Sequence, residues 1–232
     1  MLSAFTPDEQ TAILLSLRVA LLATFGALPF GIAAAWLLAR RRFPGRALLD
    51  GLIHAPLVLP PVVTGYILLL LFGRRGAIGA YLWSWFGFTF AFRWTGAALA
   101  CAVMGFPLLV RAIRLSLEAV DQRLEAAAGT LGASPVRVFL SITLPLMLPG
   151  ILAGVVLCFA KALGEFGATI TFVSNIPGET QTLPAAIYTY TQVPGGDAGA
   201  LRLTLVAVVI SLLALAASEG MARYAARRLG QA

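Results

Sequence analysis

Long apolar stretches, separated by short polar segments rich in arginine, dominate the 232-residue chain. Five of the stretches suit helices that cross a bilayer, because a membrane-spanning helix needs about 20 mostly apolar residues. The predicted spans are residues 11–39, 55–72, 95–113, 146–172 and 200–222. Alternation of apolar and polar residues over many short segments is absent, which argues against a transmembrane β-barrel. The pattern therefore predicts an all-α, polytopic integral membrane protein.

An aromatic stretch over residues 78–92 follows the second predicted span. Its aromatic residues are Tyr81, Trp83, Trp85, Phe86, Phe88, Phe90 and Phe92. The stretch is short and interrupted by glycine, and Trp and Tyr favour the level of the lipid headgroups. We expect an interfacial helix and loop here rather than a further span.

The composition supports the same class. Hydrophobic residues make up 59% of the chain and charged residues 12%, whereas soluble domains average about 45–50% and about 25%. We expect one transmembrane domain over residues 1–232.

The first ten residues contain no Lys or Arg, so a cleavable secretory signal is not predicted and the first span is expected to be retained. Cys101 and Cys158 lie in apolar stretches and are expected to pack as small hydrophobic residues.

The basic residues predict the orientation in the membrane. Eleven of the 17 would lie on one side: Arg40, Arg41, Arg42, Arg46, Arg111, Arg114, Arg123, Arg137, Arg223, Arg227 and Arg228. Four would lie on the other: Arg74, Arg75, Arg93 and Arg202. Because basic loops mark the cytoplasmic side, we expect an external N-terminus and a cytoplasmic C-terminus. This explains the net charge of +7 without a nucleic-acid partner.

The most informative polar interruption is the 124–145 segment, LEAAAGTLGASPVRVFLSITLP. Its first half contains strong helix formers with small side chains. Gly132 is expected to end that helix, and Ser134 with Pro135 is expected to cap and start a second one. Val136, Val138, Phe139 and Ile142 would form an apolar face, and Leu144-Pro145 would end the helix before the fourth span. A rigid docking protrusion and an ordinary cytoplasmic loop both fit this pattern.

The segment resembles the EAA loop of ATP-binding-cassette (ABC) importer permeases. The matching residues are Glu125, Ala126, Ala127, Gly132, Ile142, Leu144 and Pro145. The spacing departs from the usual motif in one respect: Gly132 stands seven residues after Glu125, one more than usual. We therefore expect the Gly132 corner, rather than the carboxylate, to be the main coupling feature. The resemblance implies that ATPase coupling involves Glu125, Ala126, Ala127, Gly132, Ser134, Pro135 and Phe139.

Residues 55–66 (APLVLPPVVTGY) and 161–196 resemble the molybdate-transporter permeases within that family. The resemblance implies a type I importer permease in a bacterial inner membrane, surrounded by lipid. It also implies a homodimer, two cytoplasmic ABC ATPase subunits and an extracytoplasmic molybdate-binding protein. Tungstate and sulfate permeases are similar, so the ion stays open. An ion-coupled secondary transporter would be expected to show inverted repeats, which we do not find.

Two absences bear on the chemistry of the chain itself. The sequence contains no G-x-x-x-x-G-K-[ST] phosphate-binding loop, and its only lysine is Lys161, inside a predicted span. We therefore expect no enzyme activity and no cofactor in this chain, with ATP and Mg on the partner ATPase. A single histidine, His54, predicts no metal site.

Lys161 and Glu165 are ionisable residues inside the fourth predicted span, four residues apart and so on one helical face. Such groups are costly in a bilayer and usually face protein or water. They could line the transport route, together with the hydroxyls of Thr169 and Thr171, or pair with each other and serve packing. The sequence leaves both interpretations open. Pro60-Pro61 is expected to bend the start of the second span.

Overall fold

The computed structural model describes residues 5–228, with side chains through residue 217, and these residues form helices and no strand. The helices are α1 (Pro7–Arg40), α2 (Arg46–Val58), α3 (Pro61–Phe72), α4 (Gly79–Phe86), α5 (Trp94–Ala119), α6 (Gln122–Thr130), α7 (Pro135–Val138), α8 (Leu144–Leu163), α9 (Gly167–Val173), α10 (Leu183–Thr191) and α11 (Asp197–Arg228). A turn of π-helix, Phe139–Thr143, joins α7 to α8.

Four of the described helical stretches are long and apolar enough to cross a membrane. They are α1, α5, the continuous stretch Pro135–Leu163 and the Asp197–Ala217 part of α11. Helices α2 and α3 pass the same test only as a pair, bent by 117°. The prediction of an all-α membrane protein with about five spans is confirmed: the described residues contain four such stretches, or five if the bent α2–α3 pair counts as one span.

The bend between α2 and α3 lies at Leu59 and Pro60, inside the predicted 55–72 span. Leu59 closes α2 by donating its N–H to Ala55, and Pro61 occupies the first turn of α3. Two consecutive prolines remove two backbone donors, and a proline ring clashes with the carbonyl four residues earlier in a helix. The predicted bend is therefore present, and it separates two helices rather than kinking one.

A second break divides the range predicted as the fourth span, 146–172. Helix α8 ends at Leu163, and the separate helix α9 begins at Gly167. The Oε1 atom of Glu165 accepts a hydrogen bond from the N–H of Ala168 at 2.9 Å, which satisfies one of the open donors in the first turn of α9. Glu165, which the hydrophobic pattern placed inside the fourth span, therefore lies between α8 and α9.

The two helices that follow the breaks, α3 and α9, pack closely against each other. A Cβ atom on Gly65 would lie 2.5 Å from the carbonyl oxygen of Ala168, and one on Gly167 would lie 2.8 Å from Cβ of Pro61. Glycine at these positions lets the two backbones come together, which is how small residues act in membrane helix packing.

The core lies where α5 packs against α1 and α8. Gly150 and Gly154 of α8 face Ser116 and Leu109 of α5. A Cβ atom on Gly150 would lie 2.1 Å from Cβ of Ser116, so glycine allows the two helices to approach closely. Cys101 and Cys158 are buried and unbridged, as predicted.

The aromatic stretch 78–92 contains one short helix, α4, followed by a loop, which agrees with the predicted helix and loop.

Candidate functional site

The corner after α6 is a Schellman turn, a common way to end a helix. Gly132 has φ of +83° and donates its N–H to Gly129 at 3.0 Å, while Ala133 donates to Ala128 at 3.1 Å. These two bonds satisfy carbonyls at the helix end, and glycine takes the required left-handed conformation without a steric penalty. The predicted role of Gly132 as the end of the helix is confirmed.

Helix α7 begins as predicted but does not end as predicted. The side chain of Ser134 accepts from the N–H of Arg137, and Pro135 occupies the first turn. The expectation that Leu144-Pro145 ends this helix is wrong, because the stretch continues into α8. The π-helical turn makes this possible: Leu144 donates to Phe139, five residues back, and the wider turn relieves the clash that Pro145 would cause in a regular α-helix.

The outer surface of the 124–145 segment combines small residues with exposed apolar ones. Ala126 and Ala127 are exposed on α6, and Leu131 is 88% exposed, Val136 68% and Leu140 56%. The predicted apolar face is split, since Val138 is buried and Phe139 packs against the core around α1, α5 and α8. Leu131, Val136 and Leu140 are the exposed large apolar residues from the end of α6 to the π-helical turn, and we call them the outward patch.

The inner side of the segment is fixed by Glu125. Its Oε1 atom accepts hydrogen bonds from Nη2 of Arg40 at 2.9 Å and from the Thr143 hydroxyl at 2.6 Å. Arg40 is the last residue of α1, and Thr143 is the last residue of the π-helical turn before α8. Glu125 therefore connects α6 to the ends of two membrane-spanning helices.

Lys161 and Glu165 form an ion pair across the end of α8. Nζ of Lys161 lies 2.7 Å from Oε2 of Glu165, whose side chain is 1% exposed, while that of Lys161 is 31% exposed. The hydroxyls of Thr169 and Thr171 donate to backbone carbonyls of their own segment, at 2.9 Å each. The geometry favours the pairing interpretation, because the carboxylate is buried and the hydroxyl protons are already used.

A model of the family described as the binding-protein-dependent transport system inner membrane component matches residues 27–231. The chain belongs to this family. It is 61% identical over 226 residues to the molybdenum transport system permease protein ModB of Escherichia coli K12, covering 97% of this chain and 99% of the relative. The corresponding protein of Haemophilus influenzae is 58% identical, with 96% and 97% covered. A sulfate transport system permease protein, CysW of Synechocystis, is 38% identical, with 88% and 75% covered.

Solved structures agree with the family fold. The MetNI methionine ABC transporter in inward-facing conformations matches with a TM-score of 0.72 at 15% identity, covering 92% of this chain and 94% of that one. A bacterial ABC transporter that imports alginate matches with a TM-score of 0.75 at 18% identity, covering 95% and 80%. The family's permease fold therefore extends over almost the whole of this chain.

The sequence did not point to the partners of Glu125. Arg40 lies 85 residues away in the chain, and its charge indicates only orientation, while Thr143 lies inside the segment without a pattern that predicts a role. A basic residue at the last position of a span, together with a carboxylate in a polar segment on the same predicted side, is the one sequence signal that could have suggested the pair.

Proposed function

We propose that this chain is the membrane-spanning subunit of an ATP-driven importer of molybdate in a bacterial inner membrane. The observation that carries the proposal is the identity of 61% and 58% to molybdenum transport permeases over nearly the full length of both chains. Tungstate and sulfate remain alternatives. Two sulfate transport permeases are 38% and 35% identical to this chain, which supports sulfate as an alternative ion. The difference in identity favours molybdate.

The partners in this proposal are a second copy of the chain, two cytoplasmic ABC ATPase subunits that bind ATP and Mg, and an extracytoplasmic molybdate-binding protein. The outward patch of Leu131, Val136 and Leu140 would dock to the ATPase. Ala126 and Ala127 leave the backbone of α6 open to close approach. Ser134, Pro135 and Phe139 would act indirectly, by fixing α7 on the base of α8.

Transport would proceed by alternating access, with ATP binding and hydrolysis on the partner subunits moving the 124–145 segment. The orientation in this proposal is an external N-terminus and a cytoplasmic 124–145 segment, which rests on the excess of basic residues on that side. Leu131, at 88% exposure, offers a direct test through Leu131→Cys. A membrane-impermeant maleimide should label it in inverted vesicles and not in intact spheroplasts; the reverse pattern would contradict the orientation.

The docking proposal is tested by co-purification after Gly132→Arg. The added side chain at the corner should abolish recovery of the ATPase with the permease, because the conformation and the surface of the corner both change. Gly45→Arg is the matched control, since Gly45 is also an exposed glycine with positive φ, at the start of α2. Equal loss of ATPase with both variants, or no loss with Gly132→Arg, would contradict the docking proposal.

The substrate is tested by ATP hydrolysis in the reconstituted complex. The binding protein is loaded in turn with molybdate, tungstate and sulfate, and hydrolysis is measured with each. Stimulation should be greatest with molybdate. Greatest stimulation with sulfate would replace the proposed ion while leaving the importer class in place.

The sequence leaves open whether Lys161, Glu165, Thr169 and Thr171 line the transport route or serve packing. The side chain of Lys161 is 31% exposed, so we retain the proposal that it faces the passing anion. Uptake of molybdate by Lys161→Ala/Glu165→Ala tests it, with assembly of the complex monitored in parallel. Normal uptake by the assembled double variant would leave the pair with a packing role alone.

A further inference from the structure

Three elements of the cytoplasmic end, in the proposed orientation, meet at a single carboxylate oxygen. Oε1 of Glu125 accepts from the guanidinium of Arg40 at 2.9 Å and from the hydroxyl of Thr143 at 2.6 Å. Thr143 is 2% exposed, and the side chain of Arg40 is 11% exposed. Two donors converge on one acceptor, and both donors are held in place by packed helix ends.

Helix α6 is held to the rest of the chain by its chain connections, by packing on α7 and the π-helical turn, and by Glu125. It contains no buried residue, and the corner at Gly132 has open space around it. Among the described residues, Glu125 makes the only side-chain hydrogen bonds from α6 to the end of α1 or the base of α8. A force applied to α6 can reach α8 along the chain through α7 and the π-helical turn, whereas this carboxylate gives it a direct connection to the end of α1 as well.

A partly buried ion pair with a second donor resists opening. Breaking it by removing one partner leaves the other charge without compensation, which is costly away from water. The hydrogen bonds are charge-assisted, and such bonds are shorter and stronger than neutral ones. The two bonds therefore favour an arrangement in which α6, the end of α1 and the base of α8 stay together.

We propose that Glu125 is a positioning residue that latches α6 to α1 and α8, so that movement of the 124–145 segment becomes movement of the membrane helices. The carboxylate faces inward to Arg40 and Thr143, and the ATPase contacts the outward patch instead. The inference rests on the proposed function, since it concerns how ATP hydrolysis is coupled to transport. It assigns Arg40 and Thr143 to coupling, a role that the sequence did not suggest for either.

The latch is tested with Glu125→Gln and Arg40→Gln in the reconstituted complex. Two quantities are measured: the ATPase recovered with the permease, and the molybdate moved per ATP hydrolysed. We expect unchanged recovery and a fall of roughly tenfold in molybdate per ATP, within the range found for substitutions that modulate coupling. Glu118→Gln is the matched control, because it removes an ion pair with Arg114 inside one helix, α5, and should leave both quantities unchanged.

Two further variants test the latch even if one of these single substitutions impairs folding. Thr143→Val removes one donor and keeps the ion pair, so a smaller fall in molybdate per ATP is expected. The exchange Glu125→Arg/Arg40→Glu restores a pair of opposite charges and should recover part of the lost coupling. An assembled exchange variant that stays as low as the single variants would contradict the latch.

The results separate the latch from the proposed function. Unchanged molybdate per ATP in Glu125→Gln would overturn the latch. So would loss of the ATPase in Glu125→Gln, as expected for Gly132→Arg, because the carboxylate would then contact the ATPase directly. A wild-type complex that moves no molybdate with ATP would instead overturn the proposed function.

Discussion

The Lys161–Glu165 ion pair allows a prediction about asymmetric loss of stability. The two side chains are bonded at 2.7 Å, yet the carboxylate is 1% exposed and the ammonium-bearing side chain is 31% exposed. Removing either partner leaves the other charge alone, but the environments of the remaining charges differ. We expect Lys161→Met to destabilise the permease more than Glu165→Gln.

The magnitudes follow from those exposures. Lys161→Met leaves the buried carboxylate with only the Ala168 N–H as a described partner, so we expect a loss of about 3–5 kcal/mol, the cost of breaking a buried pair. Glu165→Gln leaves a lysine that can extend toward a polar region. Its loss should be roughly 1.5–3 kcal/mol, the value of a hydrogen bond to a charged group. The double variant removes both charges and should cost about as much as Glu165→Gln alone.

The assay is unfolding of the purified permease in mixed micelles with increasing SDS, followed by loss of helical signal. Leu157→Met is the matched control, because Leu157 lies one turn before Lys161 and is 47% exposed; it should change the free energy by less than about 0.5 kcal/mol. Equal losses for the two single variants, with a double variant equal to their sum, would refute the reasoning. Such additivity would mean that the two charges do not interact.

Three further predictions concern other contacts. Gly65→Ala should lower the free energy of unfolding by about 1–3 kcal/mol, as overpacking does, because its Cβ would lie 2.5 Å from the backbone oxygen of Ala168. The control Gly51→Ala has open space around the added Cβ and should not lower it. Gly132→Ala should weaken ATPase binding, since a left-handed alanine costs roughly 1–2 kcal/mol, whereas Gly132→Asn should retain most of it. Arg202→Gln should speed proteolysis near the start of α1, because the buried Glu9 loses its charged partner at 2.7 Å and keeps only the Thr6 N–H as a described partner. The control Arg75→Gln, at an exposed arginine, should not. Each expectation fails if the variant and its control behave alike in the same assay.

The elements that could be predicted carry their signal within a few residues. The corner at Gly132 and the cap at Ser134-Pro135 follow from short-range backbone chemistry, and the structure contains both. The bend at Pro60-Pro61 is of the same kind. The apolar stretches gave the class of the protein and the approximate number of spans for the same reason.

The elements that could not be predicted depend on contacts between distant residues or on compensation between neighbours. Lys161 and Glu165 have the spacing of one helical face, but Glu165 lies beyond the end of α8 and supports the start of α9. Pro145 is a helix-ending residue by type, yet the π-helical turn before it lets the helix continue. The inward direction of Glu125 depends on where α1 ends, which no local pattern specifies.

The central claim is that this permease imports molybdate with energy from an ATPase that acts on the 124–145 segment. The most direct measurement is uptake of molybdate into proteoliposomes that contain the permease, with and without the ATPase, in the presence of the loaded binding protein. The account predicts uptake that requires ATP and the ATPase together and is lost with Gly132→Arg. Uptake driven by an imposed ion gradient in the absence of the ATPase would contradict it.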